Sequence, residues 1–546
     1  MTEFDVVVAG SGAAGMTAAL TATRAGLRTV LIEKAATFGG STARSGGGVW
    51  APNNAVLRAA GVPDTPAAAE AYLTHLTARD VPEDLRRAFL AAAPAMISFL
   101  LANTPLRFGW VTGYPDYYPE APGGLRAGRS IEARPLDARL LGPLRAELGR
   151  PYLSAPHGMV ITQADYRWLN LLARHPRGLL RAGRVSARRA ISLLRRRELL
   201  TMGQALAAGL RIGLARADVP VWLSTPLVSL HTSNGRVAGV EVLRDGRPET
   251  IHARRGVVLT SGGFEHNERM RKEYQREPIG TEWTVGAPEN TGDGIEAGLR
   301  LGAAVDLMDD AWWGPTIPLP RGPYFCLAER TLPGCILVDQ AGTRFVNEAA
   351  PYVDAVHAMY DGPHIPAWLI ADQRYRNRYT FAGLRPRQPF PGHWYRHGTV
   401  HRAGTLEELA TAIGAPPESL RATVTRFNEF AATGHDQDFR RGESGYDHYY
   451  GDPRNRPNPC LGRLDRAPFY AVRIVPGDLG TKGGLRTDGR ARVLRGDGSV
   501  IDGLYAAGNA AAPVMGRTYA GPGATLGPAM VFGYLAALDL GEDTCA

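Results

Sequence analysis

The first 34 residues constrain the fold more than any other part of the chain. An apolar run at Asp5-Val-Val-Val-Ala leads into Gly10-Ser-Gly-Ala-Ala-Gly15, an alanine-rich stretch continues to about Gly26, and Thr29-Val-Leu-Ile ends at Glu33. Glycines at this spacing between a strand and a helix allow a tight turn, close approach of a pyrophosphate and close helix packing. The helix N-terminus then faces phosphate charge, and Glu33 is placed to accept hydrogen bonds from ribose hydroxyls. The segment therefore predicts a β-α-β unit that binds a dinucleotide.

A second glycine-rich run follows this acid and indicates which dinucleotide is bound. Residues 38–50 read FGGSTARSGGGVW. A backbone this poor in side chains can pass close to the remaining pyrophosphate, the ribityl chain and the ring of FAD, whereas a single nucleotide does not need two phosphate loops. We therefore predict non-covalently bound FAD rather than NAD, with further close approaches at Gly262-Gly263, Thr291-Gly-Asp-Gly294 and Gly508-Asn509.

The predicted cofactor-binding residues come from the two glycine-rich runs, from later turns and from the start of the last helix. They are Gly10, Ser11, Gly12, Ala13, Ala14, Gly15, Glu33, Lys34, Gly39, Gly40, Ser41, Thr42, Ser45, Gly46, Gly47, Gly48, Leu227, Ser261, Gly262, Asp293, Gly508, Asn509, Thr525 and Leu526. The four cysteines, Cys326, Cys335, Cys460 and Cys545, are scattered without metal-ligand spacing. Neither a metal site nor a structural disulfide is expected.

With 546 residues the chain exceeds one hydrophobic core, which favours two or more domains. Short strands between Leu199 and Gly263 indicate a return to the first sheet, and the composition shifts to Trp, Pro and Tyr between about Ala311 and Gly462. We predict an α/β protein. Residues 1–310 and 466–546 form a discontinuous Rossmann-like FAD-binding domain with a parallel sheet, and residues 311–465 form an inserted α+β catalytic domain that caps the substrate.

The positive charge is concentrated in one segment, an arginine-rich helical insert at about residues 170–215. The net charge is +9, and residues 174–197 alone contain nine arginines and no acidic residue. This segment has no interleaved aromatic side chains, so nucleic-acid binding is not expected. We favour an exposed, solvated helical pair; the alternative is a membrane-surface patch, since leucines and Ile191 accompany the arginines.

The sequence shows no obvious targeting or spanning segment. The strand at Asp5 is not preceded by a charged leader and an apolar stretch, so no secretion signal is expected. The best apolar stretch, from Ala91 to Ala102, is interrupted by Pro94 and is shorter than the ~20 residues that a bilayer crossing needs. We expect a cytoplasmic protein; the alternative is a peripheral location at the inner face of the membrane through Arg174 to Arg197.

Several segments together resemble the FAD-dependent 3-ketosteroid Δ1-dehydrogenases, a branch of the fumarate reductase and succinate dehydrogenase flavoprotein superfamily. The resemblance covers nearly the whole chain. Its most specific pieces are residues 39–50, YPDYY at 114–118, FVNEAAPY at 345–352, DLGTKGG at 478–484 and GRTYAGPG at 516–523. The arginine-rich insert departs from the simplest members of this family.

The resemblance implies a role for each of four residues. Tyr352 matches the base that removes the proton from carbon 2 of a 3-ketosteroid, and Tyr117 matches the tyrosine that supports this base. Tyr519 and the backbone N–H of Gly523 match the oxyanion partners of the 3-ketone. The implied reaction is a 1,2-dehydrogenation in which a hydride leaves carbon 1 for flavin N5. The physiological electron acceptor is not indicated.

The chemistry requires groups of these kinds. Bound FAD accepts the hydride. A phenol with a pKa near ~10 is a poor base at neutral pH unless hydrogen bonds favour its phenolate, which is the role expected of Tyr117 toward Tyr352. Donors such as Tyr519 and Gly523 stabilise the developing enolate. An apolar steroid also needs an apolar slot, for which the candidates are Trp312, Trp313, Tyr324, Phe325 and Met359.

Three alternatives remain open at this point. One is a fumarate-reductase-like flavin reductase of activated double bonds, although a His-Pro-Thr pattern near the second domain is missing. Another is a dehydrogenase acting at a different ring bond, such as a ketosteroid Δ4-dehydrogenase, or one that prefers 5α-reduced ketosteroids. The third is a flavin-binding membrane or scaffold protein without catalysis, against which the four matching site residues argue.

Overall fold

The computed structural model describes residues 2–153 and 158–542, and its elements alternate between strands and helices. Up to the middle of the chain the elements are β1 (Thr2–Ala9), α1 (Ala13–Arg24), β2 (Thr29–Ile32), α2 (Gly40–Arg44), β3 (Gly48–Trp50), α3 (Ala55–Ala59), α4 (Pro66–Thr77), α5 (Glu83–Asn103), β4 (Phe108–Trp110), β5 (Ser130–Ala133), β6 (Leu136–Asp137), α6 (Gln163–Leu169), α7 (Pro176–Leu194), β7 (Leu199–Leu200), α8 (Met202–Arg216), β8 (Val221–Trp222), β9 (Leu227–Ser233), β10 (Arg236–Arg244) and β11 (Arg247–Leu259).

The second half of the chain continues this mixture of helices and strands. Its elements are α9 (Glu268–Tyr274), α10 (Asp293–Leu299), β12 (Val305–Asp306), β13 (Ala311–Leu319), β14 (Gly322–Phe325), β15 (Cys335–Val338), α11 (Tyr352–Tyr360), β16 (Ala367–Asp372), α12 (Gln373–Arg378), α13 (Gly392–Arg396), β17 (Val400–Ala403), α14 (Leu406–Ile413), α15 (Pro417–Thr433), α16 (Gly445–Tyr450), β18 (Phe469–Thr481), β19 (Gly484–Leu485), β20 (Arg492–Leu494), β21 (Val500–Ala506) and α17 (Leu526–Glu542).

The first sheet carries the predicted β-α-β unit. Its strand order is β20-β21-β11-β1-β2-β8, and β1 pairs in parallel with both β11 and β2. Strand β21, from the last part of the chain, pairs in parallel with β11, and the hairpin of β9 and β10 joins through β11. The expected returns to the first sheet are therefore present.

Helix α1 lies close to the first sheet because glycine allows the contact. A Cβ atom on Gly15 would lie 1.9 Å from the backbone oxygen of Gly10 and 2.5 Å from the Thr260 hydroxyl. Residues 13–22 of the helix are buried, and the apolar residues Val6, Val7 and Val8 of β1 are inaccessible to solvent. Gly15 thus acts through helix packing, as its place in the motif predicts.

The second sheet does not end where the sequence predicts. Its order is β14-β13-β18-β16-β15, with β17 on β18, and β18 pairs with β13, β16 and β17. Since β18 covers Phe469–Thr481, the predicted division between residues 465 and 466 lies before a central strand of this sheet. The chain rejoins the first sheet only after β18.

One buried ion pair ties β18 to the cofactor-binding part of the chain. A guanidinium N–H of Arg271, in α9, donates to Asp478 of β18 over 2.8 Å, and both side chains are at most 1% exposed. The Thr284 hydroxyl donates to the other oxygen of the same carboxylate. Because a buried charge needs its partner, this contact joins the second sheet to α9, whose Met270 packs in the core cluster of the first sheet.

The arginine-rich insert consists of one exposed and one buried helix, which corrects the expected exposed pair. Helix α7 is mostly exposed, whereas residues 205–214 of α8 are buried against α1 and α2. The physical reason is composition, because α8 carries one internal charge, Arg211, among Ala, Gly, Leu and Ile. Only α7 and the turn that follows it can form the surface patch.

Pro94 lies inside α5 and does not end it. This 21-residue helix is long and apolar enough to span a membrane by length and composition, and it is the one helix of residues 2–153 and 158–542 that meets this test. Its face with Phe89, Met96 and Leu100 is buried in the core. Cys326, Cys335 and Cys460 are buried free thiols, and Cys545 lies outside the described residues.

Candidate active site

A cavity of about 550 Å³ runs from the carboxyl end of β1, past both glycine-rich runs, to a group of tyrosines. All the predicted cofactor residues line it except Gly15 and Gly39. Gly39 contacts a residue that lines the cavity: its N–H donates to the Ser11 hydroxyl over 3.1 Å. Its φ is +109°. The cavity confirms that the two glycine-rich runs face a common space.

The glycine cradle leaves room where a dinucleotide would pass. A Cβ atom on Gly12 would meet only the Thr42 hydroxyl, at 3.7 Å, and one on Gly40 would meet nothing within 4 Å. The Thr42 hydroxyl also accepts from the N–H of Ala13 at the start of α1. These residues fit FAD, because backbone and small side chains line the space from the helix N-terminus onward.

Glu33 already has partners from the protein. Its carboxylate accepts from the N–H of Ser11 over 2.8 Å, from the Ser11 hydroxyl over 2.6 Å and from the N–H of Ala35. The next residue, Lys34, pairs with Asp293 over 2.7 Å. Glu33 therefore lines the cavity in a fixed orientation, which suits the predicted contact with ribose hydroxyls.

Three predicted tyrosines meet at the other end of the cavity. The ring of Tyr117 lies 5.4 Å from that of Tyr352 and 5.2 Å from that of Tyr519, and the rings of Tyr352 and Tyr519 are 5.3 Å apart. They come from the loop between β4 and β5, the first turn of α11 and the loop before α17. The structure thus brings distant segments together as the resemblance implies.

Gly523 lies where no side chain fits. It has φ +93°, and a Cβ atom there would lie 2.3 Å from the carbonyl carbon of Gly48. Burial raises the pKa of Tyr519, and a hydrogen bond from the backbone of Gly523 opposes this shift. The Tyr519 hydroxyl also accepts from the Thr525 hydroxyl over 3.1 Å. The two predicted oxyanion donors therefore lie side by side on the cavity wall.

Burial controls the acidity of these phenols, which corrects part of the expected chemistry. Desolvation raises the pKa of Tyr352 well above its usual value, and the nearby Tyr519 adds to this shift. A hydrogen bond from Tyr117 lowers the pKa of Tyr352, as predicted, but burial outweighs it. Burial also raises the pKa of Tyr117 well above its usual value. Tyr352 is therefore protonated at neutral pH in the protein without ligands.

The neighbours of Tyr117 have other partners. The Tyr118 hydroxyl donates to Asp354 over 2.8 Å, and the Tyr114 hydroxyl accepts from that of Tyr450 over 3.0 Å. Of the three tyrosines, Tyr117 packs edge-on against Tyr352 and stacks on Tyr519. It is therefore the tyrosine of this loop whose position fits the predicted support of Tyr352.

Two of the five candidates for an apolar slot, Tyr324 and Phe325, line the cavity. The Phe325 ring packs 5.2 Å from that of Tyr352. Trp312 packs edge-on against Tyr519 from behind the wall, while Trp313 and Met359 belong to the core. Neither tryptophan of β13 therefore lines the cavity.

Sequence reasoning missed several aromatic residues of the wall. Tyr446, in α16, packs 4.7 Å from Tyr117, while Tyr450, Tyr166 and Tyr152 line the cavity. The available signal was the run GYDHYY at residues 445–450, an aromatic cluster that α16 turns toward the YPDYY loop. Arg44 and Asn290 were also missed at the cofactor end.

The comparisons with known proteins agree with this geometry. The model of the FAD binding domain family matches residues 5–526. The chain is 57% identical to the 3-oxosteroid 1-dehydrogenase of Mycobacterium tuberculosis, an alignment that covers 99% of this chain and 98% of the relative. The chain belongs to the 3-oxosteroid 1-dehydrogenase family. Its cofactor is FAD.

Two further members of this family extend the agreement. The 3-oxosteroid 1-dehydrogenase of Mycolicibacterium smegmatis is 56% identical over 100% of this chain and 98% of its own length. The structure of 3-ketosteroid delta1-dehydrogenase from Sterolibacterium denitrificans, in complex with 1,4-androstadiene-3,17-dione, aligns with a TM-score of 0.95 and 40% identity over the full length of both chains. The resemblance read from the motifs is confirmed.

Proposed function

We propose that this protein is a 3-oxosteroid 1-dehydrogenase that removes hydrogens from carbons 1 and 2 of a 3-ketosteroid. The observation that carries the proposal is the convergence of Tyr117, Tyr352 and Tyr519 at one end of the FAD cavity. FAD, when bound, supplies the acceptor for the hydride that leaves carbon 1. Tyr324 and Phe325 offer the apolar wall that a steroid ring needs.

Tyr352 takes the proton from carbon 2 onto its phenolic oxygen. The ketone beside carbon 2 makes this proton acidic, and hydrogen bonding by Tyr117 favours the phenolate that accepts it. Since burial keeps Tyr352 protonated at neutral pH, the active form is a minor population that grows as the pH rises. The value of kcat/KM should therefore increase from pH 7 toward the alkaline limit of the assay.

Tyr519 and Gly523 hold the ketone oxygen. The Tyr519 hydroxyl and the Gly523 N–H are both donors, and their adjacency suits one oxygen that gains negative charge as the enolate forms. The Thr525 hydroxyl donates to the Tyr519 hydroxyl and so helps to orient it. These donors orient carbons 1 and 2 and lower the cost of removing the proton.

The decisive experiment combines substrate turnover with a single-atom change. The FAD-loaded protein should reduce an artificial electron acceptor when given a 3-ketosteroid, and Tyr352→Phe should retain FAD and lose turnover. The parallel change Tyr274→Phe, outside the cavity, is the control. Near-normal turnover by Tyr352→Phe would remove this residue from the mechanism, and no turnover by the wild type on any ketosteroid would refute the proposed activity.

The same assay separates the remaining alternatives. A Δ4-dehydrogenase would act on ketosteroids saturated at carbons 4 and 5 and leave carbon 1 unchanged, which product analysis detects. A fumarate-reductase-like enzyme would oxidise a reduced dye with a dicarboxylate. The tyrosine cluster favours a ketosteroid dehydrogenase over a fumarate reductase, because it supplies a base and oxyanion donors instead of cationic groups for a dicarboxylate. The 57% identity to a 3-oxosteroid 1-dehydrogenase favours Δ1 over Δ4 chemistry.

We also propose that the unit built on the second sheet caps the substrate. It contributes Tyr324, Phe325 and Tyr352 to the cavity, while the first unit contributes the glycine cradle. The ends of its helices α14 and α15 are well defined, which suits a rigid wall. Thr405 and Glu408 form a reciprocal capping box on α14, and α15 ends at Gly434 with φ +85°.

A finer proposal concerns location: α7 docks the protein on the inner face of a membrane. Five large apolar side chains of this helix are exposed, and Leu194 is 86% exposed. Arg181 and Arg188 both pair with the buried Asp165 of α6, which pins α7 against the helix that carries Tyr166 of the cavity wall. Apolar steroids dissolve in membranes, so docking here would place the cavity near its substrate.

Flotation with anionic vesicles at low and high salt tests this docking. We expect binding at low salt and its loss in Leu193→Glu/Leu194→Glu. The control is Val228→Glu, which changes an exposed apolar residue on β9, away from α7. Unchanged flotation of the leucine variant would show that α7 is a solvated surface and does not contact the membrane.

A further inference from the structure

A second cleft, separate from the reaction cavity, is lined by arginines from three stretches of the chain. It measures about 900 Å³ and shares no lining residue with the cavity. Its basic residues are Arg174, Arg374, Arg378, Arg385, Arg387 and Arg466. None of the residues that line it is acidic. This concentration of like charge on one concave surface needs an explanation that steroid chemistry does not provide.

Carboxylates beside the cleft neutralise only part of this charge. Arg374 pairs with Asp465 over 2.6 Å, and Arg174 pairs with Asp452 over 2.8 Å. Arg466 lies 3.9 Å from the same Asp465. Within residues 2–153 and 158–542, no carboxylate lies within 4.0 Å of the other three guanidinium groups, which project from α12 and the loop after it: Arg378, Arg385 and Arg387. Their mutual repulsion is relieved when an anion binds.

The loop that presents these arginines is held in place. The buried Arg376 donates to the carbonyl of Gln388 over 2.8 Å, lies 4.6 Å from the ring of Phe390, and accepts through its own carbonyl from the N–H of Arg387 over 2.8 Å. Arg387 itself has φ +68°, a conformation that non-glycine residues rarely adopt. Such backbone conformations persist where surrounding contacts enforce them, so the cleft is preformed.

The chemistry of the lining selects the ligand. Guanidinium groups match phosphate oxygens with two parallel hydrogen bonds, and three uncompensated cations call for more negative charge than one carboxylate carries. We propose that this cleft binds a ligand with two or more phosphate groups, from either a soluble polyphosphate or the headgroups of an anionic lipid. Arg174 lies two residues before α7, so a membrane docked on that helix would bring headgroups to the same cleft.

Isothermal titration of the full-length, FAD-loaded protein with inorganic pyrophosphate tests the soluble source. We expect about one site per chain, weakened by added salt. Two triple variants, Arg378→Glu/Arg385→Glu/Arg387→Glu and the milder set with Gln at the same positions, should each lower the affinity at least about tenfold. The control is Arg247→Glu, an exposed arginine at the start of β11, which should leave binding unchanged.

Flotation with phosphatidylcholine vesicles, with and without phosphatidic acid, tests the lipid source. If phosphatidic acid recruits the wild type and the Gln triple variant loses this recruitment, while pyrophosphate gives no heat, the phosphate comes from lipid. If both triple variants bind pyrophosphate and phosphatidic acid as the wild type does, or the wild type binds neither, the proposal is overturned. The three arginines lie outside the reaction cavity, so steroid turnover should be unchanged in every variant, whatever the activity proves to be.

Discussion

The two ends of the reaction cavity are built in opposite ways. At the cofactor end the wall is backbone: Gly12 and Gly40 leave space because they carry no side chain. At the tyrosine end the wall is side chain, and the hydroxyls of Tyr352 and Tyr519 reach the same space from distant segments. The difference predicts opposite sensitivities. Adding one carbon should damage the cofactor end, whereas removing one oxygen should damage the chemistry of the tyrosine end and leave the fold intact.

Gly15→Ala should produce the largest effect. The added Cβ would lie 1.9 Å from the Gly10 oxygen, and neither α1 nor the turn can move away without losing the cradle. We expect purified protein without flavin absorbance, or none that is soluble. Gly183→Ala in α7, where nothing lies within 4 Å, should keep its FAD. Normal flavin content in Gly15→Ala would contradict the expected sensitivity of the cofactor end to an added carbon.

Glu348→Ala probes the support beneath the tyrosine end. Its carboxylate accepts from Arg344 over 2.8 Å and from Arg441 over 3.0 Å, and all three side chains are buried. Glu348 lies in the segment that leads into Tyr352. Removing one member of a buried ionic network costs about 3–5 kcal/mol of unfolding free energy. Urea unfolding measures this cost, and the exposed Glu418→Ala should change stability by no more than about 0.5 kcal/mol. Equal stabilities of the two variants would show that the network does not support Tyr352.

Glu265 makes the cofactor end sensitive to pH. Burial, with help from Asp478, raises the pKa of this carboxyl from 4.5 to about 7. Because the folded protein holds the proton more tightly than the unfolded chain, the stabilisation is fully present below pH 4.5 and is lost as the pH rises through 7, by roughly 3 kcal/mol. Unfolding of Glu265→Gln should lack this slope, while the exposed Glu443→Gln should retain it. A slope that survives in Glu265→Gln would assign the titration to another group.

Tyr519→Phe should give the smallest free-energy change. Losing one oxyanion donor lowers kcat about 100-fold, or about 2.7 kcal/mol, while the ring still packs against Tyr117 and Tyr352. Steady-state kinetics and the flavin spectrum together measure this, with Tyr274→Phe as the matched control. Loss of FAD in Tyr519→Phe would show that the tyrosine end also supports the cofactor, and so would weaken the contrast.

A region of this protein can be predicted from the sequence when the residues that determine it lie close together in the chain. The β-α-β unit was readable because Gly10, Gly15 and Glu33 act within 34 residues of one another. The tyrosines were found through motif resemblance, since nothing in the spacing of residues 117, 352 and 519 shows that they meet. Tyr446 and Tyr450 were missed for the same reason: their partners Tyr117 and Tyr114 are more than 300 residues away.

Two boundary errors have a common physical cause. Strand β18 belongs to the second sheet through pairing with β13 and β16, and pairing partners are invisible to local patterns. Helix α8 was grouped with the exposed α7 because the arginines dominate the composition of the whole insert. The run of uncharged residues from Ala205 to Leu210 was the signal of its burial.

The Arg271–Asp478 ion pair has a consequence for how steroids come and go. Separating the two sheets would break this buried ion pair and the hydrogen bond from Thr284 to Asp478, so we expect them to stay together during turnover. Leu153 lines the cavity and is 55% exposed. We therefore expect steroids to enter and leave past this residue, through an opening at the protein surface.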